Sequence, residues 1–261
     1  MPVLAAAAAI HSPLTVTFVP GTGNTFALTF DGDQESQGTE KLLALLRRRH
    51  IVATLFVTGR FAELHPELLR EAAADGHEIG NHTFSHPHLT TWAQNHRHLT
   101  LPGVTRETLQ RELRDAAEAI RRAIGRPPIK LWRAPYGEHN AEIRAWAAEL
   151  GYVQIGWTGG CGDALDALDW VEDPSSRRFL GAEAMARHLL SFEDRCGIPL
   201  AGSIILMHLG SARPDLPLLE ALPIVLDETD RRGLHPVPVT ELLRLGGELP
   251  ADRSDIDHVN R

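Results

Sequence analysis

Short apolar runs alternate along this chain with longer stretches in which leucine and alanine recur at helical spacing. Runs at 26–30, 52–57 (rich in β-branched residues), 77–80, 129–132, 152–155, 203–207 and 234–239 read as strands. Thr39 can cap a first helix whose buried side carries Leu42, Leu43, Leu45 and Leu46, and Pro66 opens a second that Gly76 closes. Leu109, Leu113, Ala117, Ile120 and Ile124 predict a long helix over 105–124 that Gly125 ends. Further helices are expected over 141–150, 183–195 and 216–231. Seven β/α units counted this way call for a parallel sheet with helices outside it. No linker-like break interrupts the pattern, so one domain is expected over 25–245, with an extension at 1–24 and a tail at 246–261. An open doubly wound sheet would show the same alternation. However, the one nearby glycine cluster, Gly21-Thr22-Gly23, precedes the first strand instead of following it as a dinucleotide fingerprint would. Polar motifs follow the first, third, fourth and sixth strands, which suits a closed or nearly closed barrel whose chemistry gathers at strand ends.

With 261 residues, 43% of them apolar, the chain can build one large core. A formal net charge of −8 argues against a polyanionic partner, and no basic cluster interleaved with aromatics points to nucleic acid. A neutral or cationic substrate fits better. The alanine-rich run at 3–10 is too short to span a bilayer and lacks a positive leader. It reads either as the remnant of a trimmed signal or as an unstructured start. Cys161 and Cys196 allow one disulfide or two thiols, so the redox compartment stays open.

The candidate chemistry sits just after the strands. His82 and His86 are four apart; on a helical turn their imidazoles would face one way and could share a metal. Pro87 argues that such a turn ends there. With 14 histidines in the chain, a chance pair at this spacing is not rare. Asp31 and Asp33 follow a buried strand, where a carboxylate is costly unless paired or bound to a cation; Asp-Gly-Asp is also ordinary turn chemistry. Arg133, ahead of Ala134-Pro135-Tyr136, could clamp a carboxylate or be a plain loop residue. His208 ends the most apolar strand, where a lone histidine is more often a satisfied core residue. Asp166 and Asp169 beside Trp170 could orient a histidine and wall an apolar pocket, or form a solvated turn over a core tryptophan. His88, His96 and His98 read as loop or surface residues, and Glu35 as exposed.

Taken jointly, the motifs closely resemble those of the polysaccharide deacetylases with a NodB-homology domain, carbohydrate esterase family 4. Thr29-Phe30-Asp31-Gly32-Asp33 matches the family's Thr-Phe-Asp-Asp-Gly imperfectly. His82, Thr83 and His86 match its His-Ser/Thr-x-x-His, and Arg133, Pro135 and Tyr136 match its Arg-x-Pro-Tyr. Asp166, Asp169 and Trp170 match Asp-x-x-Asp-Trp, and Leu206 and His208 match Leu-x-His. The motifs stand in family order over nearly the whole chain. The resemblance implies a distorted (β/α)7 barrel and one divalent metal, Zn2+ first, with Co2+, Ni2+ or Mn2+ as the other ions it allows. The implied activity is hydrolytic removal of N-acetyl groups, a linear amide C–N cleavage, from an amino-sugar polymer or oligomer of the peptidoglycan or chitin type. An extracellular or cell-envelope location goes with that substrate.

Carried over residue by residue, the resemblance makes Asp31 the base, held by Arg133. His82, His86 and Asp33 become the metal ligands, and His208 the acid, oriented by Asp169. Tyr136 would offer a backbone N–H to the oxyanion, while Trp170 and Leu206 wall the acetyl pocket. One departure stands out: the family's second Asp is a metal ligand, and here that position is Gly32, with the carboxylate moved to Asp33. Three readings follow: Asp33 reaches the metal from a remodelled loop, or Asp31 or extra waters complete the site, or activity is lost and a carbohydrate-binding relative remains. A hydrolase of small amides or cyclic imides on the same barrel is a further alternative, though it matches these motifs less well.

Overall fold

The computed structural model describes residues 15–247, so the alanine-rich run at 3–10 and the end of the tail lie outside the described residues. In chain order the first half contains β1 (Thr15–Val16), β2 (Thr25–Gly32), α1 (Thr39–Arg48), β3 (Thr54–Val57), α2 (Gly59–Leu64), α3 (Pro66–Ala74), β4 (Glu78–Asn81), α4 (Trp92–Asn95) and α5 (Arg106–Ile124). The second half contains β5 (Leu131–Trp132), α6 (Ala141–Ala148), β6 (Val153–Ile155), the ribbon β7 (Gly159–Gly160) and β8 (Asp163–Ala164), α7 (Ala182–Leu190) and α8 (Phe192–Cys196). It ends with β9 (Ile204–His208), α9 (Leu218–Arg231), β10 (His235–Val237) and α10 (Val239–Leu245).

The main sheet runs β1-β6-β5-β4-β3-β2-β10, with β9 also paired to β2, and every ladder in it is parallel. It curls. Bridges Phe18–Ser203 and Asp166–Leu206, with the Thr158 N–H donating to Ile204 O, tie β9 back toward the β1/β6 edge. The result is the curled parallel sheet of a distorted (β/α)7 barrel, as the motif resemblance implies. Thr15 and Val16, within the stretch read as an extension, pair with Gln154 and Ile155.

Strand alternation decides what reaches the site. Along β2, Phe26, Leu28 and Phe30 turn outward into the core shared with the helices, among Leu42, Phe61 and Leu222. Ala27 turns inward to a second core with Phe56, Ile155, Ile204 and Val239. With a period of two, Thr29 and Asp31 continue the inner row toward the C-terminal rim, and Gly32 falls on the outer one. On β9 the same rule puts Ile204, Leu206 and His208 inside, with Leu206 one layer below His208. Gly80 on β4 is needed for packing: a Cβ there would stand 2.6 Å from the Phe56 ring.

Helix ends behave as the residue types dictate. Thr105 and Thr108 cap α5 reciprocally, and Gly125 ends it at φ 77°. The helix expected over 183–195 breaks in two at Ser191, whose hydroxyl donates back to Arg187 O, a local bond that competes with continued helix. Cys161 and Cys196 form a disulfide. No helix among the described residues is long and apolar enough to cross a membrane.

Candidate active site

Arg133, fully buried at the end of β5, organises the floor. Its Nη1 donates to Asp31 Oδ1 at 2.7 Å, its Nη2 to Thr29 Oγ1 and Gly156 O at 2.9 Å each, and its Nε to Ile155 O at 3.2 Å. The guanidinium also lies over the Phe56 ring, 4.4 Å from its centre. A charge this deep survives only when paired and fully hydrogen-bonded. Burial pushes the Asp31 carboxyl toward the neutral form, but Arg133 together with His82 and His208 overrides it, and Asp31 stays below the usual carboxylate range.

Across the β2–β9 ladder Asp31 pairs in register with His208. Asp169, also buried, clasps His208 twice: Oδ1 accepts from Nδ1 at 2.8 Å and Oδ2 accepts the backbone N–H at 2.9 Å. Burial alone would discharge this imidazole. The Asp169 carboxylate reverses that and holds the His208 pKa up at about 9. His208 is therefore an imidazolium at neutral pH.

The third part lies on the segment after β4. His82 and His86 come together, with their Nε2 atoms 3.1 Å apart, yet not on a helical turn. Thr83 and His86 have φ of 65° and 57°, so two left-handed residues fold the segment instead. His82 Nδ1 stands 2.8 Å from Arg133 O; a carbonyl only accepts, so Nδ1 carries the proton and Nε2 keeps its lone pair. Burial draws both imidazoles down, His86 to about 3, which keeps them neutral and ligand-competent. Asp31 Oδ2 is 3.6 Å from His82 Nε2, and Asp33 Oδ2 is 4.0 Å from His86 Nδ1.

Among the described residues no group of three or more His, Cys, Asp or Glu already stands in metal-holding geometry. The donor set nonetheless fits a cation. Two nitrogens bound to one tetrahedral ion at about 2.0–2.1 Å stand roughly 3.3 Å apart, close to the separation seen. Asp33 Oδ1 is buried with no hydrogen-bond partner, an orphan that a cation would satisfy. A side chain at position 32 would start outward, its Cβ 2.9 Å from Leu209 Cδ1 and 3.3 Å from the Phe61 ring. Asp31 and Asp33 both face the imidazoles, Asp31 nearer, at His82 Nε2, and Asp33 at His86 Nδ1.

Tyr136 adopts φ 57° after Pro135. In its turn the N–H groups of Gly137 and Glu138 are spent on Ala134 O and Pro135 O, while that of Tyr136 has no backbone partner among the described residues. Its ring stacks on His88 at 4.1 Å and reaches His86 at 4.5 Å. Trp170 stands apart from this group. It is 44% exposed, its indole N–H donates to Asp166 Oδ2, and neither it nor Leu206 lines the small cavity beside His208.

Two carboxylates that motif reading passed over shape the imidazole segment. Glu112 on α5 accepts the N–H groups of Phe84 and Ser85 and the Ser85 hydroxyl. Glu138, 1% exposed, accepts from the N–H groups of Leu89 and Thr90 and lies 2.8 Å from His88 Nδ1. Neither has a local signal in the sequence, because each acts on backbone tens of residues away.

Fold and site together define an α/β barrel whose rim gathers an arginine-held carboxylate, a carboxylate-held histidine and two facing histidines. The chain belongs to the polysaccharide deacetylase family, whose model matches residues 19–155. It is 27% identical to a peptidoglycan-N-acetylglucosamine deacetylase of Bacillus cereus, an alignment covering 85% of this chain and 69% of the relative. It is 29% identical to a chitooligosaccharide deacetylase of Sinorhizobium fredii, over 77% of this chain and 80% of the relative. Among solved structures it superimposes with a TM-score of 0.71 on a peptidoglycan N-acetylglucosamine deacetylase in complex with an N-oxidanyl-benzamide compound; identity is 26%, covering 88% of this chain and 92% of that one.

Proposed function

We propose that the protein is a divalent-cation-dependent N-deacetylase of amino-sugar glycans that releases acetate and leaves a free amine. The observation that carries this reading is the meeting, at the C-terminal rim of one parallel sheet, of an arginine-held carboxylate, a carboxylate-held imidazolium and two neutral imidazoles sharing a focus. The peptidoglycan and chitooligosaccharide deacetylases among its relatives supply the substrate class. Disulfides persist in oxidising surroundings, so the Cys161–Cys196 bond suits work on a cell-envelope or extracellular glycan.

His82, His86 and Asp33 would hold the cation, Zn2+ first. When bound, it supplies Lewis-acid polarisation of the acetamide carbonyl and lowers the pKa of water there. Asp31, kept ionised by Arg133, takes the proton from the attacking water. The Tyr136 N–H offers a hydrogen bond where negative charge develops on the former carbonyl oxygen. His208 gives its Nε2 proton to the departing nitrogen, which would otherwise leave as an unstable amide anion. Asp169 holds Nδ1 and stabilises the charged ring until that transfer.

The test is acetate release from N-acetylglucosamine oligomers and from peptidoglycan fragments. Activity that a chelator removes and added Zn2+ restores supports the reading. Glycan binding without divalent-cation binding or acetate release would replace it with the catalytically impaired relative. Turnover confined to small amides or cyclic imides would replace it with the other hydrolase.

A further inference from the structure

A groove of about 620 Å³ opens beside the 163–170 segment, lined by Asp163, Asp166, Leu168, Arg177, Arg178 and His188 among others. By number its lining charges balance, two aspartates against two arginines, but Arg195 from outside the lining takes up one aspartate. Asp163 is neutralised by Arg195 at 2.6 Å. Asp166 accepts from the Leu168 N–H and the Trp170 indole and faces Arg178 at 3.8 Å. Arg177 has no hydrogen-bond or ion-pair partner among the described residues. One positive charge is thus left over, in a chain whose formal net charge is −8.

The arginine-bearing wall is anchored. Arg213, 1% exposed, donates to Leu180 O at 3.0 Å, lies 3.8 Å over the Phe179 ring and is clasped by Asp215. Arg178 in turn lies over the Trp170 ring at 5.1 Å. The opposite wall belongs to the segment that delivers Asp169 to His208. Backbone bonds from Leu206 N to Leu165 O and from Ala167 N to Leu206 O lock it onto β9. The groove therefore shares a wall with the segment that carries Asp169, and that wall is braced before any ligand arrives.

We infer that this groove is a subsite for a carboxylate carried by the glycan strand, held by Arg177 with Arg178 beside it. The inference rests on the deacetylase reading and narrows it: the preferred strand is acidic, not a neutral homopolymer. A guanidinium matches a carboxylate in a two-point fork, and a single surplus charge suits a monoanion better than a phosphate dianion. Anchoring that carboxylate fixes which acetamide along the strand is presented to the catalytic groups.

The experiment compares neutral N-acetylglucosamine oligomers with fragments bearing a lactyl ether carboxylate, each with and without an attached peptide. Wild type should show the lower KM on the carboxylated fragments. Arg177→Gln should raise that KM about tenfold, the worth of one charge-assisted hydrogen bond, with kcat and the neutral-oligomer KM unchanged. Arg177→Lys should recover part of the loss. An Arg177 effect that appears only with the peptide assigns the carboxylate to the peptide. Equal effects on neutral and carboxylated strands, or none on either, overturn the subsite. If no glycan is hydrolysed at all, calorimetric titration of the same fragments decides. Binding that depends on both Arg177 and the carboxylate keeps the groove while the deacetylase reading falls; its absence removes the groove as well.

Discussion

On the β2, β5 and β9 side of the site the charged groups find their counterparts inside the protein. Arg133 spends its donors on Asp31, Thr29, Gly156 and Ile155, and Asp169 spends both oxygens on His208. On the side after β4 the pairing is thinner: the facing imidazole nitrogens have only each other within hydrogen-bond reach, at 3.1 Å, and a buried oxygen of Asp33 has no hydrogen-bond partner among the described residues. The first region completes itself on folding. The second is held in place from behind by Arg133 O and Glu112, and its front atoms are the ones the proposed cation would use. In the proposed reading, the difference separates proton-handling groups, whose pKa values must be set in advance, from groups whose partner would arrive later.

Substitutions can break or sharpen that contrast. The largest effect is expected for Asp31→Asn, which removes the base and leaves the Arg133 guanidinium buried without its counter-ion. Turnover should fall by on the order of a thousandfold, and unfolding in urea should show a loss of about 3–5 kcal/mol. A variant as stable as wild type would mean the first region does not complete itself. His208→Ala comes next: kcat should drop by on the order of 10²–10⁴, with metal content by elemental analysis unchanged. Lost metal would mean the two regions are not separate.

Asp33→Asn is the sharpest discriminator. It replaces a carboxylate with one unpartnered buried oxygen and a pKa that burial already raises, so the metal-free unfolding midpoint should hold or rise. Metal affinity by competition titration should weaken at least about tenfold. A destabilised metal-free variant would show that Asp33 is part of the fold and not of the open corner. The smallest effect is in pH. His208 must be protonated to act, and its pKa is held at about 9, so kcat should be level near neutrality, halve near pH 9 and fall about tenfold per unit beyond it. The same raised pKa adds stability that is fully present below the ordinary histidine value near 6.5 and is lost as pH rises through 9. Asp169→Asn should move the kinetic limb toward that ordinary value; an unmoved limb would detach Asp169 from the acid.

The sequence by itself determined the strand–helix alternation, because inner and outer strand faces and amphipathic helices are local patterns of residue type. It also placed Asp31, His82, Arg133 and His208 at strand ends, since a polar residue closing an apolar run is visible in one dimension. Tertiary structure decided the rest. Thr83 and His86 fold the imidazole pair through left-handed residues instead of a helical turn, because Glu112 and Arg133 O hold that segment from distant elements. Asp169 became a buried clasp while Trp170, its neighbour, was turned toward solvent. Strand parity turned position 32 outward, toward Leu209 and Phe61. In each case the determining partner lies far away in the chain, so no local pattern could have encoded the outcome.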